Sequence, residues 1–188
     1  MSNEPTARRR NKGFMDGEPK GVPLRFKPSL NGIATGRRLR NPPAMPSEFS
    51  LSRTVEFAET DMAGIMHFAN FFRWMEACET ALYRSLDLPL VSFVPGQLVG
   101  WPRVSVSCDY RAPLRFNDTV EVKLFVKKLG RRSVVYLFQF RKAGVLCAQG
   151  EITAVCVTTD ARGAMVSAPI PADVHAKLSV APPAAYKA

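Results

Sequence analysis

The sequence has no apolar run long enough to span a bilayer, and its start lacks the succession of a charged, an apolar and a small-residue segment that marks a signal peptide. Its cysteines form no CxxC pair and no zinc-site spacing; they are Cys78, Cys108, Cys147 and Cys156. Each lies in an apolar or alternating segment, where a small buried thiol is expected. We therefore expect a cytoplasmic protein with structural thiols and no bound metal.

Positive charge is concentrated at the start of the chain. Of the net charge of +10, residues 1–46 hold +7, from ten Lys or Arg and three acidic residues. The same segment has seven Pro and five Gly, so it cannot bury enough apolar surface to offset its ordering entropy. We predict a disordered basic arm at residues 1–46. Contact of this arm with nucleic acid or a membrane is not favoured, because aromatic residues for base stacking are sparse and a solvated leader is simpler.

The rest of the chain suits one domain, because domains usually have roughly 100 to 200 residues. At residues 54–57 every second residue is apolar, as in a short strand with one buried face. From residue 69 to 86 the apolar residues recur at helical spacing, opposite a narrow polar stripe, and Pro89 follows the end of this pattern. These features predict one long helix that is covered on most sides.

Alternating segments follow the predicted helix. They lie at residues 103–110, 120–126, 133–140 and 152–158, the last with a strand start near Val145. The order predicts an α+β domain at residues 47–170, in which an antiparallel sheet of about five strands wraps around the long helix. Pro and Ala dominate beyond this domain, which predicts a flexible tail at residues 171–188.

Residues 59–70 place a carboxylate, a glycine and an imidazole directly ahead of the helix, in Asp61, Gly64 and His67. A helix start presents unpaired N–H groups and a partial positive charge, which can hold an oxyanion. A nearby carboxylate can act on a thioester as a nucleophile or general base. An acyl-transfer site can be built this way, although a capping carboxylate and a turn glycine would give the same residues.

Two motifs in order resemble a known family. They are Glu-Thr-Asp-x-x-Gly at 59–64 with Asn70 and Phe-Phe-Arg-Trp-Met-Glu at 71–76, then Tyr-Arg-Ala-Pro-Leu at 110–114 with Asn-Asp at 117–118. Over about residues 50–160 the chain is similar to hotdog-fold acyl-CoA thioesterases of the 4-hydroxybenzoyl-CoA thioesterase family. The resemblance implies that Asp61 is the catalytic carboxylate and that the backbone N–H near Phe68 binds the thioester oxygen. It also implies a homodimer or homotetramer with active sites at the subunit interface.

Three further residues have two interpretations each. A branch of the family has Tyr-His-Ala-Asn where this chain has His-Phe-Ala-Asn at 67–70, so His67 is either catalytic or a histidine that only supports the site or is merely exposed. Asn70 either caps the helix or holds the loop that carries Asp61, near the substrate. Glu79 either lines the pocket, as a helix carboxylate does in another branch, or is unrelated to it.

Coenzyme A would enter as part of the substrate, and no other cofactor is expected. Its phosphates call for cations near the pocket, although ordinary hairpin charges would look the same. The candidates are Arg111, Lys127, Lys128, Arg131 and Arg132. An acyl carrier protein could present the acyl group instead, and the acyl group itself stays open.

The predicted function is hydrolysis of an acyl-CoA thioester to a free acid and CoA. One alternative is hydration or dehydration of an acyl thioester, although the Asp-x-Asn-Pro-x-His string of the related hydratases is absent. Another is a noncatalytic acyl-binding or interaction module that the basic arm recruits.

Overall fold

The computed structural model describes residues 46–90, 92–94 and 97–187. The chain begins with strand β1 (Glu48–Thr54), a short 3-10 turn (Phe57–Glu59) and helix α1 (Phe68–Ser85). The elements that follow are β2 (Ser92–Val94), β3 (Gln97–Val99), β4 (Arg103–Tyr110), β5 (Thr119–Leu129), β6 (Ser133–Lys142), β7 (Val145–Val155), β8 (Val157–Thr159), β9 (Met165–Ser167), α2 (Ala172–Lys177) and a 3-10 turn (Pro183–Ala185). The arm predicted at residues 1–46 lies outside the described residues, apart from Pro46.

Five of the strands form one antiparallel sheet in the order β1-β5-β6-β7-β4. Consecutive hairpins join β5, β6 and β7, while β1 and β4 form the two edges. Two small hairpins, β2-β3 and β8-β9, lie outside this sheet. The arrangement confirms the predicted α+β hotdog fold. The first strand is corrected, because it ends at Thr54 and the residues predicted as a strand at 54–57 run into the 3-10 turn.

Helix α1 packs its apolar side against the sheet. Its buried apolar residues recur every three or four positions, as one helix face requires: Phe71, Trp74, Met75, Cys78 and Leu82. They meet the inward residues of β5, which are Val120, Val122, Leu124 and Val126. Gly150 on β7 gives room for Met75, because a Cβ there would collide with the methionine. At the end of the helix, Lys177 Nζ donates to Leu86 O at 2.6 Å, which places a cation at the negative end of the dipole.

Strand β4 differs from the prediction that its alternating apolar side chains are half-buried. Val104 is 61% exposed, Val106 51% and Tyr110 48%, and Cys108 alone among these four is half-buried. The reason is the strand order: β4 pairs with β7 on one side and forms an edge of the sheet. An alternating pattern is the same in an edge strand and in a central one.

The C-terminal segment also differs from the predicted flexible tail. Val174 and Leu178, in and after α2, join the main core. Beyond them the chain reaches the face of the sheet opposite α1, where Ala181 N donates to Val126 O at 2.9 Å and the Tyr186 ring lies 5.7 Å from the Phe125 ring. The alternation of β5 points Phe125 to this outer face, so the segment covers an apolar side chain that water would otherwise reach.

In the part of the chain that the structure describes, no helix combines the length and the apolar character needed to cross a membrane.

Candidate active site

Asp61 opens a tight turn between β1 and α1. Asp61 N donates to Ile65 O at 3.0 Å, and Gly64 N donates back to Asp61 O at 2.9 Å. The carboxylate oxygen Oδ1 accepts from Ala63 N at 2.8 Å, so the side chain also supports its own turn. Gly64 has a φ of +69°, in the left-handed region that favours glycine. The nearest atom to a Cβ at Gly64 would be Arg115 Nη1 at 3.8 Å, so the glycine is needed for conformation rather than for space.

The Asp61 side chain is exposed and borders a cleft of about 420 Å³. The cleft lies where the loop, the start of α1 and the end of β4 meet, and its lining residues are Asp61, Ile65, Met66, Phe68, Phe71, Tyr110, Arg111, Ala112, Pro113 and Leu114. Most of these side chains are apolar. The aromatic ring of Phe71 meets the ring of Tyr110 edge to face, with 5.0 Å between the centroids. A carboxylate therefore lies at the border of a largely apolar and partly aromatic cleft.

In the first turn of α1, one backbone amide has no acceptor among the described residues. His67 N donates to Glu59 O, Ala69 N to His67 Nδ1 and Asn70 N to His67 O. Phe68 N has no acceptor among the described residues. The first residues of a helix carry unpaired donors at the positive end of its dipole. The amide of Phe68 is thus a free donor on a residue that lines the cleft with Asp61.

His67 is the N-cap of α1. Its Nδ1 accepts from Ala69 N at 3.3 Å, and its exposed ring lies 4.4 Å from the Phe68 ring. The residues that line the Asp61 cleft do not include it. The structure therefore gives this imidazole a capping contact.

Asn70 holds the loop that carries Asp61. Its side chain is buried, and Nδ2 donates to Glu59 O at 2.8 Å. This contact ties the second residue before Asp61 to the first turn of the helix. Of its two predicted roles, holding the loop is the one that these contacts support.

Glu79 lies elsewhere on α1, outside the lining of the Asp61 cleft. Its side chain is 1% exposed and forms an ion pair with Arg103. Its Oε1 is buried without a hydrogen-bond partner among the described residues. Burial raises the pKa of Glu79 to about 7, although the charge of Arg103 opposes the rise. Arg103 lines a second cleft of about 300 Å³ beside β4, together with Glu76 and Trp101.

The predicted cations separate into two groups. Arg111 lines the Asp61 cleft. Lys128, Arg131 and Arg132 lie at the hairpin between β5 and β6, at the opposite end of the sheet. From Val120 to Leu129 the rise of a strand gives roughly 30 Å, so these three do not reach the cleft of their own chain. Lys127, near this hairpin, pairs with Glu151.

Two polar residues near Asp61 were absent from the sequence prediction of site residues. Arg115 Nη1 donates to Gly64 O at 3.4 Å from an exposed position. Glu59 accepts a hydrogen bond from Trp74 Nε1 at 2.6 Å and lies 3.5 Å from Arg53 Nη2. The motif at 59–64 includes Glu59, but its pairing with a residue fifteen positions later has no local signal. Within the described residues, no group of three or more His, Cys, Asp or Glu is placed to hold a metal ion.

Comparison with known proteins identifies a family. A 1,4-dihydroxy-2-naphthoyl-CoA hydrolase of Prochlorococcus marinus (strain NATL1A) is 36% identical over 104 residues, covering 50% of this chain and 67% of that protein. Another of the same name from Synechococcus sp. (strain CC9605) is 34% identical over 120 residues, covering 60% and 78%. The structure of the BH1999 gentisyl-coenzyme A thioesterase matches with a TM-score of 0.56 and 26% identity, covering 67% of this chain and 98% of that one. The model of the thioesterase-like superfamily matches residues 55–178, and the chain therefore belongs to this superfamily.

Proposed function

We propose that the protein hydrolyses an acyl-CoA thioester to a free acid and CoA, with Asp61 as the catalytic carboxylate. One observation carries the proposal: a single cleft is lined both by Asp61 and by Phe68, whose amide is a free donor at the helix start. A thioester carbonyl bound between them would have a carboxylate near its carbon and an N–H near its oxygen. Family membership supports the same chemistry.

The reaction can follow either of two routes. In the first, an Asp61 oxygen bonds to the acyl carbon, the C–S bond breaks, and CoA leaves as a thiolate that takes up a proton; water then hydrolyses the mixed anhydride. In the second, Asp61 takes a proton from water as the water oxygen bonds to the acyl carbon, and the thiolate leaves in the same way. In both routes the Phe68 amide stabilises the oxyanion, a contribution typically worth about a hundredfold or more in rate.

An aromatic acyl group fits this cleft best. The walls include the rings of Phe68, Phe71 and Tyr110, and a flat ring can pack against such rings edge to face or with an offset. The related proteins named above support this choice, because their names give naphthoyl-CoA and gentisyl-CoA substrates. Arg111 is the cation of this cleft that can meet a CoA phosphate.

We also propose a homodimer that forms through β4. This strand has a free edge in the described part of the chain and exposes Val104, Val106 and Tyr110. Two copies related by a two-fold axis would pair their β4 strands antiparallel. Arg103 at one end of the strand would then lie near Tyr110 of the second copy, at the border of its Asp61 cleft.

The test is turnover of a panel of acyl-CoA esters, aromatic and aliphatic, followed by the loss of thioester ultraviolet absorbance. Asp61→Asn removes the charge but keeps an oxygen that can accept from Ala63 N, so the turn survives. We expect its kcat to fall about a hundredfold or more. No turnover of any ester by the folded protein would contradict the proposal. It would favour acyl carrier protein substrates, hydratase chemistry or a binding role.

A second turn of the same kind supplies a matched control. Asp160 N donates to Ala164 O, Gly163 N donates to Asp160 O, and Asp160 Oδ1 accepts from Arg162 N at 2.8 Å. Gly163 also has a positive φ, of +78°. Asp160 Oδ1 also accepts from Ala164 N at 2.9 Å. Asp160→Asn therefore makes the same chemical change in a second turn of this kind, away from the cleft. If it reduced kcat as much as Asp61→Asn does, Asp61 would be a turn residue and not the catalytic carboxylate.

A further inference from the structure

The proposed hydrolysis needs the Asp61 carboxylate and the Phe68 amide at a fixed separation, yet the turn at 61–65 is held by hydrogen bonds within itself. We infer that Glu59 is a positioning residue, which fixes the Asp61 loop to helix α1 through Trp74 and thereby sets the rate of the reaction. This inference rests on the proposed function.

The Glu59 side chain connects three elements. Oε1 accepts from Trp74 Nε1 on α1 at 2.6 Å and lies 3.5 Å from Arg53 Nη2 on β1. Oε2 accepts from Glu56 N, at the start of the 3-10 turn, at 3.0 Å. Hydrogen bonds to a charged acceptor are about twice as strong as neutral ones. Trp74 is fully buried in the core, so the anchor itself has little freedom to move.

The main chain of Glu59 makes a second connection to the same helix. Its carbonyl oxygen accepts from His67 N at 2.9 Å and from Asn70 Nδ2 at 2.8 Å. One residue therefore contacts α1 at its N-cap, in its first turn and, through Trp74, in its second turn. Because Asp61 is two residues further along the chain, it cannot shift relative to the Phe68 amide without straining these contacts.

A carboxylate suits this position better than its amide. It has only acceptors, on two oxygens, and here the donors approach both oxygens. A glutamine has one acceptor oxygen and an NH₂ group, which would face either Trp74 Nε1–H or Glu56 N–H. Arg53 would lose its counter-ion, although its guanidinium would keep its place 4.7 Å from the centre of the Trp74 ring.

Glu59→Gln is therefore the primary variant. A displacement of about 1 Å in a catalytic group can cost about a hundredfold in rate. We expect kcat to fall at least about tenfold, with KM changed less than about threefold, because the apolar side chains that line the cleft stay in place and only Asp61 shifts. Trp74→Phe removes the indole donor and keeps an aromatic ring. If Glu59 acts through Trp74, the double variant Glu59→Gln/Trp74→Phe has nearly the same kcat as the single variant with the lower kcat.

Tyr83→Phe is the matched control for a merely structural contact. Tyr83 lies on the same helix, and its hydroxyl forms a buried hydrogen bond of 3.0 Å with the Tyr136 hydroxyl, outside the Asp61 cleft. Its removal should lower the free energy of unfolding and leave kcat within about twofold of the wild type. All variants are compared at a temperature at which circular dichroism shows each of them folded.

Amide hydrogen exchange, followed by mass spectrometry, gives a readout that does not depend on turnover. We expect Glu59→Gln to raise exchange in residues 57–67 and Tyr83→Phe to leave it unchanged. An unchanged kcat in Glu59→Gln, or an equal loss in Tyr83→Phe, would overturn the inference. If the wild type hydrolyses no ester, the proposed function fails by itself. Unchanged exchange in Glu59→Gln would then overturn the positioning role as well, and raised exchange would support it.

Discussion

Replacing Glu79 with Gln should change how the stability of the protein depends on pH. The carboxyl is buried on α1, and desolvation raises its pKa from its ordinary value of 4.5 to about 7 despite the ion pair with Arg103. In the unfolded chain the group regains its ordinary pKa. The folded protein therefore binds the proton more tightly than the unfolded chain does.

The sign and size of the effect follow from this difference. Below pH 4.5 the carboxyl is protonated in both states and contributes no pH dependence. Between pH 4.5 and about 7 the unfolded chain releases the proton first, so stability falls as pH rises, and above that range the loss is complete. At about 1.4 kcal/mol for each pKa unit, the loss is on the order of 3 kcal/mol.

The assay is urea unfolding of the wild type and Glu79→Gln at several pH values from about 5 to 8. The difference between the two proteins cancels the other titrating groups. The nearby Cys78 and Tyr83 stay neutral throughout, because burial raises the pKa of each to about 12. As pH rises, we expect the free energy of unfolding of the variant to increase by about 2 to 3 kcal/mol relative to that of the wild type. If this difference in the free energy of unfolding did not change with pH, or changed in favour of the wild type, the charge of Arg103 would outweigh the effect of burial on the Glu79 pKa. Either result would refute the reasoning.

Two other substitutions test the packing and the edge of the sheet. Gly150→Ala would place a Cβ against Met75 Cε and 2.7 Å from Ser107 O, which strand pairing holds in place. We therefore expect urea unfolding to show that the free energy of unfolding falls by about 1 to 3 kcal/mol. A fall of less than about 0.5 kcal/mol would contradict this. Val106→Lys should lower the mass found by sedimentation from dimer to monomer, while Val180→Lys, at a similarly exposed position, should not. A monomeric wild type would contradict the dimer.

The order of the elements could be predicted from the sequence because its signals are local. The apolar period predicted a helix at 69–86, and α1 spans Phe68–Ser85. The alternating segments predicted the four later strands of the sheet. The exposure of β4 could not be predicted, because it depends on the position of the strand at an edge. Burial of the C-terminal segment depends on its contact with Phe125, which lies far earlier in the chain, and no local pattern gives that contact.

The residues of the candidate site likewise include some whose placement could be predicted from the sequence and some whose placement could not. Asp61, Gly64 and Phe68 lie within one short segment, and the chain needs only one turn to bring them together. The cations Lys128, Arg131 and Arg132 are far from Asp61 in sequence, and their position depends on how the strands align. Charge alone could not show that they lie at the opposite end of the sheet. The catalytic role of Asp61 stays a prediction until turnover is measured.

Because of the C-terminal segment, the outer face of the sheet and its β4 edge respond differently to dilution. Its contact with Phe125 lies within one chain, so its partner is present at every protein concentration. A contact between two β4 strands obeys mass action and weakens as the protein is diluted. Dilution would therefore separate the proposed dimer, and with it any cleft shared between the subunits, while the outer face of each sheet stayed covered.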